Sequence, residues 1–117
     1  MQPLVEPGGE LTDAERVRYA RNISIPAIGE LGQRRLRNAR VLSVGAGGLG
    51  SPALLYLAAA GVGALGVVDD DLVTGHNLQR QVMHDEAFIG TPKVASAASR
   101  LTGLDSGVQV VQHQLRL

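Results

Sequence analysis

The chain has 117 residues, 44% of them hydrophobic, and its eleven basic side chains balance its eleven acidic ones. A chain of this size makes one domain or part of one. Its net charge of zero does not indicate binding to nucleic acid or to an anionic membrane. It contains no cysteine, which excludes disulfides, cysteine zinc sites and thiol chemistry of its own. The sequence has no apolar run long enough to span a membrane and no signal-peptide pattern, so we expect a cytoplasmic protein.

The N-terminal third predicts a tail and two helices. Residues 1–11 contain two prolines and two glycines, so we expect a flexible tail there. Thr12 and Glu15 form a capping-box pattern that starts a helix reaching about Asn22. A second helix is expected over about residues 28–38, and its inward-facing leucines are Leu31 and Leu36.

A βαβ pattern occupies the middle of the chain. Residues 40–50 read Arg-Val-Leu-Ser-Val-Gly-Ala-Gly-Gly-Leu-Gly, which predicts a strand buried on both faces, a glycine turn and the start of a helix. That helix is expected over residues 49–60, and a second strand over residues 64–69 ends on Asp69. The glycines that allow a tight turn, close approach to a ligand and helix–strand packing are Gly45, Gly47 and Gly50.

This pattern predicts a nucleotide site. The N-terminus of the helix offers unpaired N–H groups and the positive end of its dipole to phosphate. Asp69 follows the turn by roughly 20 residues, where an acidic side chain can bind ribose hydroxyls. The two strands, the helix and the acid together favour nucleotide binding over a turn that serves packing alone.

The remaining residues predict a loop, a helix and a third strand. Residues 70–84 are polar and too long for a tight connection, which indicates a functional loop with a short helical piece. A helix is expected from Thr91 to about Leu101, and a strand over residues 108–113. We therefore expect an α/β fold with a Rossmann-like parallel sheet of about three strands, preceded by two N-terminal helices. Because such folds normally have further βα units, residues 12–117 are expected to be the N-terminal half of a truncated domain.

Several cations could bind phosphate. Residues 77–81 read Asn-Leu-Gln-Arg-Gln, and Arg80 has a planar guanidinium suited to phosphate oxygens, although a solvated loop explains the pattern equally well. Lys93 lies in the first turn of a helix, against the macrodipole, which favours a bound polyphosphate. Arg21 could reach a triphosphate in a neighbouring subunit, but spacing alone favours an exposed charge. The histidines show no metal-ligand spacing, and His84 is expected to be partly buried with a structural role.

These motifs together resemble the MoeB/ThiF family of adenylyltransferases, bacterial relatives of the ubiquitin-activating enzymes. The resemblance runs from about residue 12 onward, and its motifs besides the glycine turn are Arg18-Tyr-x-Arg21, Leu57-Ala-x-Ala-Gly-Val-Gly63, Asp69-x-Asp71, Asn77-Leu-Gln-Arg-Gln81, His84 and Gly90-x-Pro-Lys93. The Asn-Leu-Gln-Arg-Gln segment is highly specific, because ordinary dehydrogenases lack it.

The resemblance implies a function. Family members use ATP with Mg²⁺ to adenylate the C-terminal glycine of a ubiquitin-like sulfur-carrier protein of the MoaD/ThiS type, in molybdopterin or thiamine biosynthesis, and they release pyrophosphate. It implies the same cofactors and partner here, and a homodimer. Gly48 would meet the phosphates through its backbone and Asp69 would hold the ribose. The implied catalytic residues are Arg21 (an arginine finger across the dimer), Arg80 and Lys93. The implied nucleotide ligands are Gly45, Gly47, Gly48, Gly50, Asp69, Asp71, Asn77, Gln79, Arg80 and Lys93.

The chain departs from the family pattern in two respects. His76 stands where the family usually has serine. The family's magnesium-binding aspartate and its paired CxxC zinc motifs have no counterpart here, so we assign no metal ligand and no zinc site. Two alternatives to an adenylyltransferase stay open. One is a degenerate, non-catalytic module for nucleotide binding or dimerisation; the other, less favoured, is an NAD-dependent oxidoreductase, in which Lys93 would have no task.

Overall fold

The computed structural model describes residues 2–47, 50–78 and 81–117. The helices and strands in these ranges are α1 (Asp13–Arg18), α2 (Ala20–Ile23), α3 (Gly29–Asn38), β1 (Arg40–Val44), α4 (Gly50–Ala60), β2 (Ala64–Val68), α5 (Lys93–Leu104) and β3 (Gln109–His113). Two short 3₁₀ turns, Gly75–Asn77 and Glu86–Phe88, lie between β2 and α5. The strands agree with the sequence-based expectation, whereas α5 continues past the predicted end at Leu101. None of these helices has the length and apolar character needed to cross a membrane.

The three strands form one parallel sheet in the order β1-β2-β3. Helix α4 connects β1 to β2, α5 connects β2 to β3, and the two helices contact each other and the sheet. The side chains enclosed there are aliphatic and have no exposed area: Leu54 and Ala58 of α4, Leu65 and Val67 of β2, and Ala97 and Leu101 of α5. The expected α/β fold with a Rossmann-like parallel sheet is therefore confirmed.

The other face of the sheet is open, which corrects one expectation. Strand β1 was expected to be buried on both faces, but its exposed and half-buried residues alternate. Leu42 and Val44 are 58% and 65% exposed. Across the sheet, Leu42 of β1 pairs with Gly66 of β2, and Gly66 pairs with Val111 of β3. Val111 is also exposed. The cause is that α4 and α5 both pack against the opposite face, where Leu65 and Val67 are buried.

The first predicted helix is divided at Tyr19. It begins with the expected capping box: the Glu15 N–H donates to Thr12 Oγ1 at 3.1 Å, and the Thr12 N–H donates to Glu15 Oε1 at 2.8 Å. At Tyr19 the backbone leaves helical geometry (φ −104°, ψ 18°), so α1 ends there and α2 follows as a separate short helix. The Tyr19 side chain is buried, and its hydroxyl donates to the Asp105 carboxylate at the end of α5. A long-range contact therefore coincides with the break.

Helix α3 presents a glutamine inward where a leucine was expected. Leu31 is half exposed, whereas Gln33 is fully buried and Leu36 packs against the core. The Gln33 Nε2 group donates to the Ala60 carbonyl at 2.9 Å. The last carbonyls of a helix lack partners within it, so a buried amide donor at the C-terminus of α4 is more favourable than an apolar side chain.

The outer side of α3 contacts the N-terminal tail. Arg34 donates to the backbone carbonyls of Gly8 and Gly9 at 2.6 and 3.1 Å. Asn38 donates to the carbonyl of Glu6 at 3.0 Å. Residues 6–9 therefore lie along the helix, and the side chains of Arg34 and Asn38 donate hydrogen bonds to them.

Candidate functional site

The glycine turn (residues 45–50) has a shape that requires glycine at two described positions. Gly45 has φ +106°, a left-handed conformation that side chains rarely adopt, and its N–H donates to the Val68 carbonyl at 2.7 Å. A Cβ atom on Gly50 would lie 2.2 Å from the Gly45 carbonyl oxygen. The left-handed conformation of Gly45 lets the chain turn after β1, and the missing side chain of Gly50 lets α4 begin in contact with the turn.

Asp69 joins the end of β2 to the glycine turn. Its Oδ2 atom accepts from the Ala46 N–H at 2.9 Å, and its Oδ1 atom accepts from the Asp71 N–H at 2.8 Å. The predicted ribose ligand is thus adjacent to the turn. Each carboxylate oxygen has a further lone pair for a hydroxyl donor. A cleft of about 250 Å³ opens beside it at the carboxyl ends of β1 and β2, which is where ligands of open α/β sheets bind.

Lys93 is a buried cation at the first position of α5. Its side chain is 6% exposed, and its Nζ atom lies 3.5 Å from Oδ2 of Asp71, whose side chain is 67% exposed. The Lys93 N–H also donates to the Asp71 carbonyl at 2.9 Å. Lysine is rarely buried without close partners, and a cation at a helix N-terminus opposes the dipole. Both features fit a position that faces a bound anion.

His84 links the turn to α5. The residue is 6% exposed, its Nε2 atom lies 2.7 Å from the Ala46 carbonyl oxygen, and its Nδ1 atom lies 2.7 Å from Ser96 Oγ. Burial lowers the pKa of His84 below its ordinary value of 6.5, and the nearby Lys93 ammonium lowers it further, against the hydrogen bond to Ala46. The expected burial of His84 is confirmed, and its structural role stays a prediction. Because it contacts Ala46 in the turn and Ser96 on the helix that begins with Lys93, His84 connects two parts of the predicted site.

The loop before His84 contributes two amides. Asn77 donates from Nδ2 to Thr74 Oγ1 at 2.7 Å within a 3₁₀ turn. Gln81 is buried, and its Nε2 atom would lie 3.4 Å from a Cβ on Gly47, so this amide packs against the glycine turn. Three of the predicted ligands lie outside the described residues: Gly48, Gln79 and Arg80.

Arg21 lies away from the turn within one chain. It is exposed on α2, and the neighbouring Asn22 donates to the carbonyl of Ala60, the last residue of α4, at 3.4 Å. The glycine turn is at the other end of α4, which has eleven residues and is therefore about 16 Å long at 1.5 Å per residue. Among the described residues, the structure therefore does not bring Arg21 to the glycine turn of its own chain.

Two features were not predicted from the sequence. Ser96 was not singled out, although it follows Lys93 by three residues and so lies on the same face of α5. The carboxylates of Asp69, Asp70 and Asp71 each offer an oxygen within 4.8 Å of the others, so this group could hold a metal ion. Three consecutive acidic residues were the available signal, but only the fold shows that their oxygens converge.

Comparison with protein families assigns the chain. A model described as the ThiF family matches residues 19–117. The chain belongs to the ThiF family, as its motifs predicted.

Curated relatives extend well beyond this chain. It is 52% identical over 117 residues to the "Probable adenylyltransferase/sulfurtransferase MoeZ" of Mycobacterium tuberculosis, covering 100% of this chain and 30% of that protein. It is 48% identical over 111 residues to "Adenylyltransferase and sulfurtransferase MOCS3" of Arabidopsis thaliana (95% of this chain, 24% of that protein). It is 53% identical over 100 residues to "SAMP-activating enzyme E1" of Haloferax volcanii (86% and 37%). The chain thus spans between 24% and 37% of these relatives.

Solved structures of similar fold include nucleotide complexes. The chain matches E. coli tRNA N6-threonylcarbamoyladenosine dehydratase, TcdA, in complex with ATP with a TM-score of 0.84 and 28% identity, covering 91% of this chain and 43% of that one. It matches E. coli MccB with AMPCPP and MccA with a TM-score of 0.78 and 31% identity (86% and 31%). Relatives of this chain therefore carry adenylyltransferase names, and proteins of the same fold bind adenine nucleotides.

Proposed function

We propose that this protein binds ATP at the glycine turn and serves as an ATP-dependent adenylyltransferase. Its substrate in this proposal is the C-terminal glycine of a ubiquitin-like sulfur-carrier protein of the molybdopterin or thiamine type. The observation that carries the proposal is Lys93, a buried ammonium. It lies one helical turn before Ser96 on α5, and the Ser96 hydroxyl is 2.7 Å from the His84 ring that contacts Ala46 of the glycine turn. The names of the relatives and the nucleotide complexes of TcdA and MccB support it.

The chemistry explains why cations are needed. A carboxylate oxygen forms a bond to the α-phosphorus of ATP, and the bond from that phosphorus to pyrophosphate breaks. Both reactants are anions, so positive charges and N–H dipoles around the phosphates lower the barrier. In this proposal Lys93 neutralises phosphate charge, Asp69 accepts from the ribose hydroxyls, and Asn77 and Arg80 contact the nucleotide.

Mg²⁺ would accompany the triphosphate and neutralise part of its charge. The carboxylates of Asp69, Asp70 and Asp71 are oxygen donors of the kind this ion prefers. Asp69 and Asp71 also contact Ala46 and Lys93, whereas the Asp70 carboxylate has no hydrogen bond or ion pair with the part of the chain that the structure describes.

Calorimetry with ATP and NAD tests the nucleotide assignment. We expect the intact protein to bind ATP more tightly than NAD, because the triphosphate of ATP offers the buried Lys93 ammonium more negative charge than the diphosphate of NAD does. Tighter binding of NAD would contradict the assignment. Exchange of labelled pyrophosphate into ATP, with a carrier protein present, then tests adenylation. ATP binding without exchange for any carrier would favour the non-catalytic alternative.

Arg21 acts from a second copy of the chain in this proposal, because its own glycine turn lies at the far end of α4. Mixing Arg21→Ala and Lys93→Met proteins tests this: a mixed dimer would have one site with both cations intact. If subunits exchange freely, half of the dimers are mixed, and about a quarter of wild-type activity should return. If the mixture stays as inactive as its components, Arg21 does not act across a dimer.

A further inference from the structure

Three side chains hold the two peptide groups on either side of the Ala46 Cα atom. The Ala46 N–H donates to Asp69 at 2.9 Å. The Ala46 carbonyl oxygen lies 2.7 Å from His84 Nε2 and accepts from Ser51 Oγ at 3.0 Å. His84 and Ser51 are both buried, so this carbonyl points into the protein interior.

The direction of this carbonyl determines where the next N–H points. In a trans peptide the C=O of one residue and the N–H of the following residue point in opposite directions, and the described residues contain no cis peptide. The Gly47 N–H is therefore directed away from the buried His84 and Ser51 side chains. Among the described residues it donates to no protein acceptor. An outward N–H next to the start of α4 is a donor for phosphate.

The contacts of His84 define its protonation. A carbonyl oxygen can only accept, so Nε2 carries a proton and donates to Ala46. In the neutral ring Nδ1 is then an acceptor, and the Ser96 hydroxyl donates to it. Ser96 lies one helical turn after Lys93 on α5. The chain of contacts from Ala46 through His84 to Ser96 thus connects the phosphate-facing backbone with the helix that carries the cation.

We propose that His84 is a positioning residue that turns the Ala46 carbonyl inward and so aims the Gly47 N–H at the phosphates of the nucleotide. This rests on the proposed function, since it presumes that ATP binds at the glycine turn. His84 itself does not touch the nucleotide. The charged groups that act on it are Lys93 of α5, Asp69 at the end of β2 and the adjacent Asp85.

The test compares three variants of the intact protein by ATP calorimetry and thermal unfolding. His84→Leu removes the donor to Ala46 and should weaken ATP binding roughly tenfold, which corresponds to one lost hydrogen bond to a charged group. His84→Gln keeps an N–H donor on a side chain of similar reach and should retain ATP affinity close to that of the wild type, with a smaller loss than His84→Leu. Gln33→Met is the matched control, because Gln33 also donates from a buried position to a carbonyl of α4, at the opposite end. It should lower the unfolding temperature and leave ATP affinity unchanged.

Each result decides the proposal. Wild-type affinity in His84→Leu, or an equal loss in Gln33→Met, overturns it, because affinity would then follow fold stability alone. If His84→Leu does not fold, Ser96→Ala replaces it: losing the hydroxyl on Nδ1 should weaken ATP binding roughly threefold, and an unchanged affinity overturns the proposal. If the wild-type protein binds no ATP, the proposed function itself is wrong, and the role of His84 falls with it.

Discussion

Replacing Lys93 by methionine should weaken ATP binding without destabilising the free protein. The ammonium is buried, and its nearest carboxylate, on Asp71, lies 3.5 Å away and is largely exposed. At that distance and an effective dielectric constant of about 20, the attraction is about 5 kcal/mol. Burying an ammonium costs several kcal/mol, and solvent weakens a pair with an exposed member. The ion pair is therefore close to neutral for stability.

Methionine has a similar length and volume and no charge to desolvate. We expect the free energy of unfolding of Lys93→Met to lie within about 1 kcal/mol of the wild type or above it. ATP binding should lose about 1.5–3 kcal/mol if the ammonium makes one charge-assisted bond to phosphate, or roughly 10- to 150-fold in affinity. Urea unfolding without nucleotide measures the first quantity, and calorimetry with ATP measures the second.

Arg100→Met is the matched control, because Arg100 is an exposed cation on the same helix. It should leave both quantities nearly unchanged. The reasoning would be refuted if Lys93→Met destabilised the free protein by several kcal/mol while ATP affinity stayed at the wild-type value. Lys93 would then serve the fold through Asp71 and not the nucleotide.

Three further predictions concern stability. Gly50→Ala should destabilise the fold by several kcal/mol in urea unfolding, because its Cβ would meet the Gly45 oxygen at 2.2 Å. Burial and the Asp105 carboxylate raise the pKa of Tyr19 from 10.0 to about 12. The free energy of unfolding should therefore fall as the pH rises through that window. Tyr19→Phe should remove this fall, and near neutral pH it should lower the free energy of unfolding by about 1.5–3 kcal/mol because one hydrogen bond to a charged group is lost. The lowered pKa of His84 means that the unfolded state binds the proton more readily, so stability should fall as the pH drops from 6.5 toward the folded pKa, and His84→Gln should abolish that decline.

Local signals explain why much of the fold was predictable. The alternation of short apolar runs with glycine turns indicated all three strands, and the Thr12–Glu15 pair indicated the first helix start. The errors arose where distant residues decide. The break at Tyr19 coincides with a contact to Asp105, 86 residues away, and the burial of Gln33 in place of Leu31 follows from the carbonyls at the end of α4.

By itself the sequence determined the βαβ unit and the residue types around a phosphate. The signals for them are the glycine spacing, the helix starts and a lysine, Lys93, in the first turn of a helix. Each of these signals involves only residues that are close together in the sequence. Only the tertiary structure decided which side chains share that space. The side chain of His84 reaches Ala46, 38 residues earlier, and Ser96, 12 residues later, and no local pattern encodes such a meeting. The same holds for Arg21, whose separation from its own turn follows from the contact of the neighbouring Asn22 with Ala60, at the far end of α4.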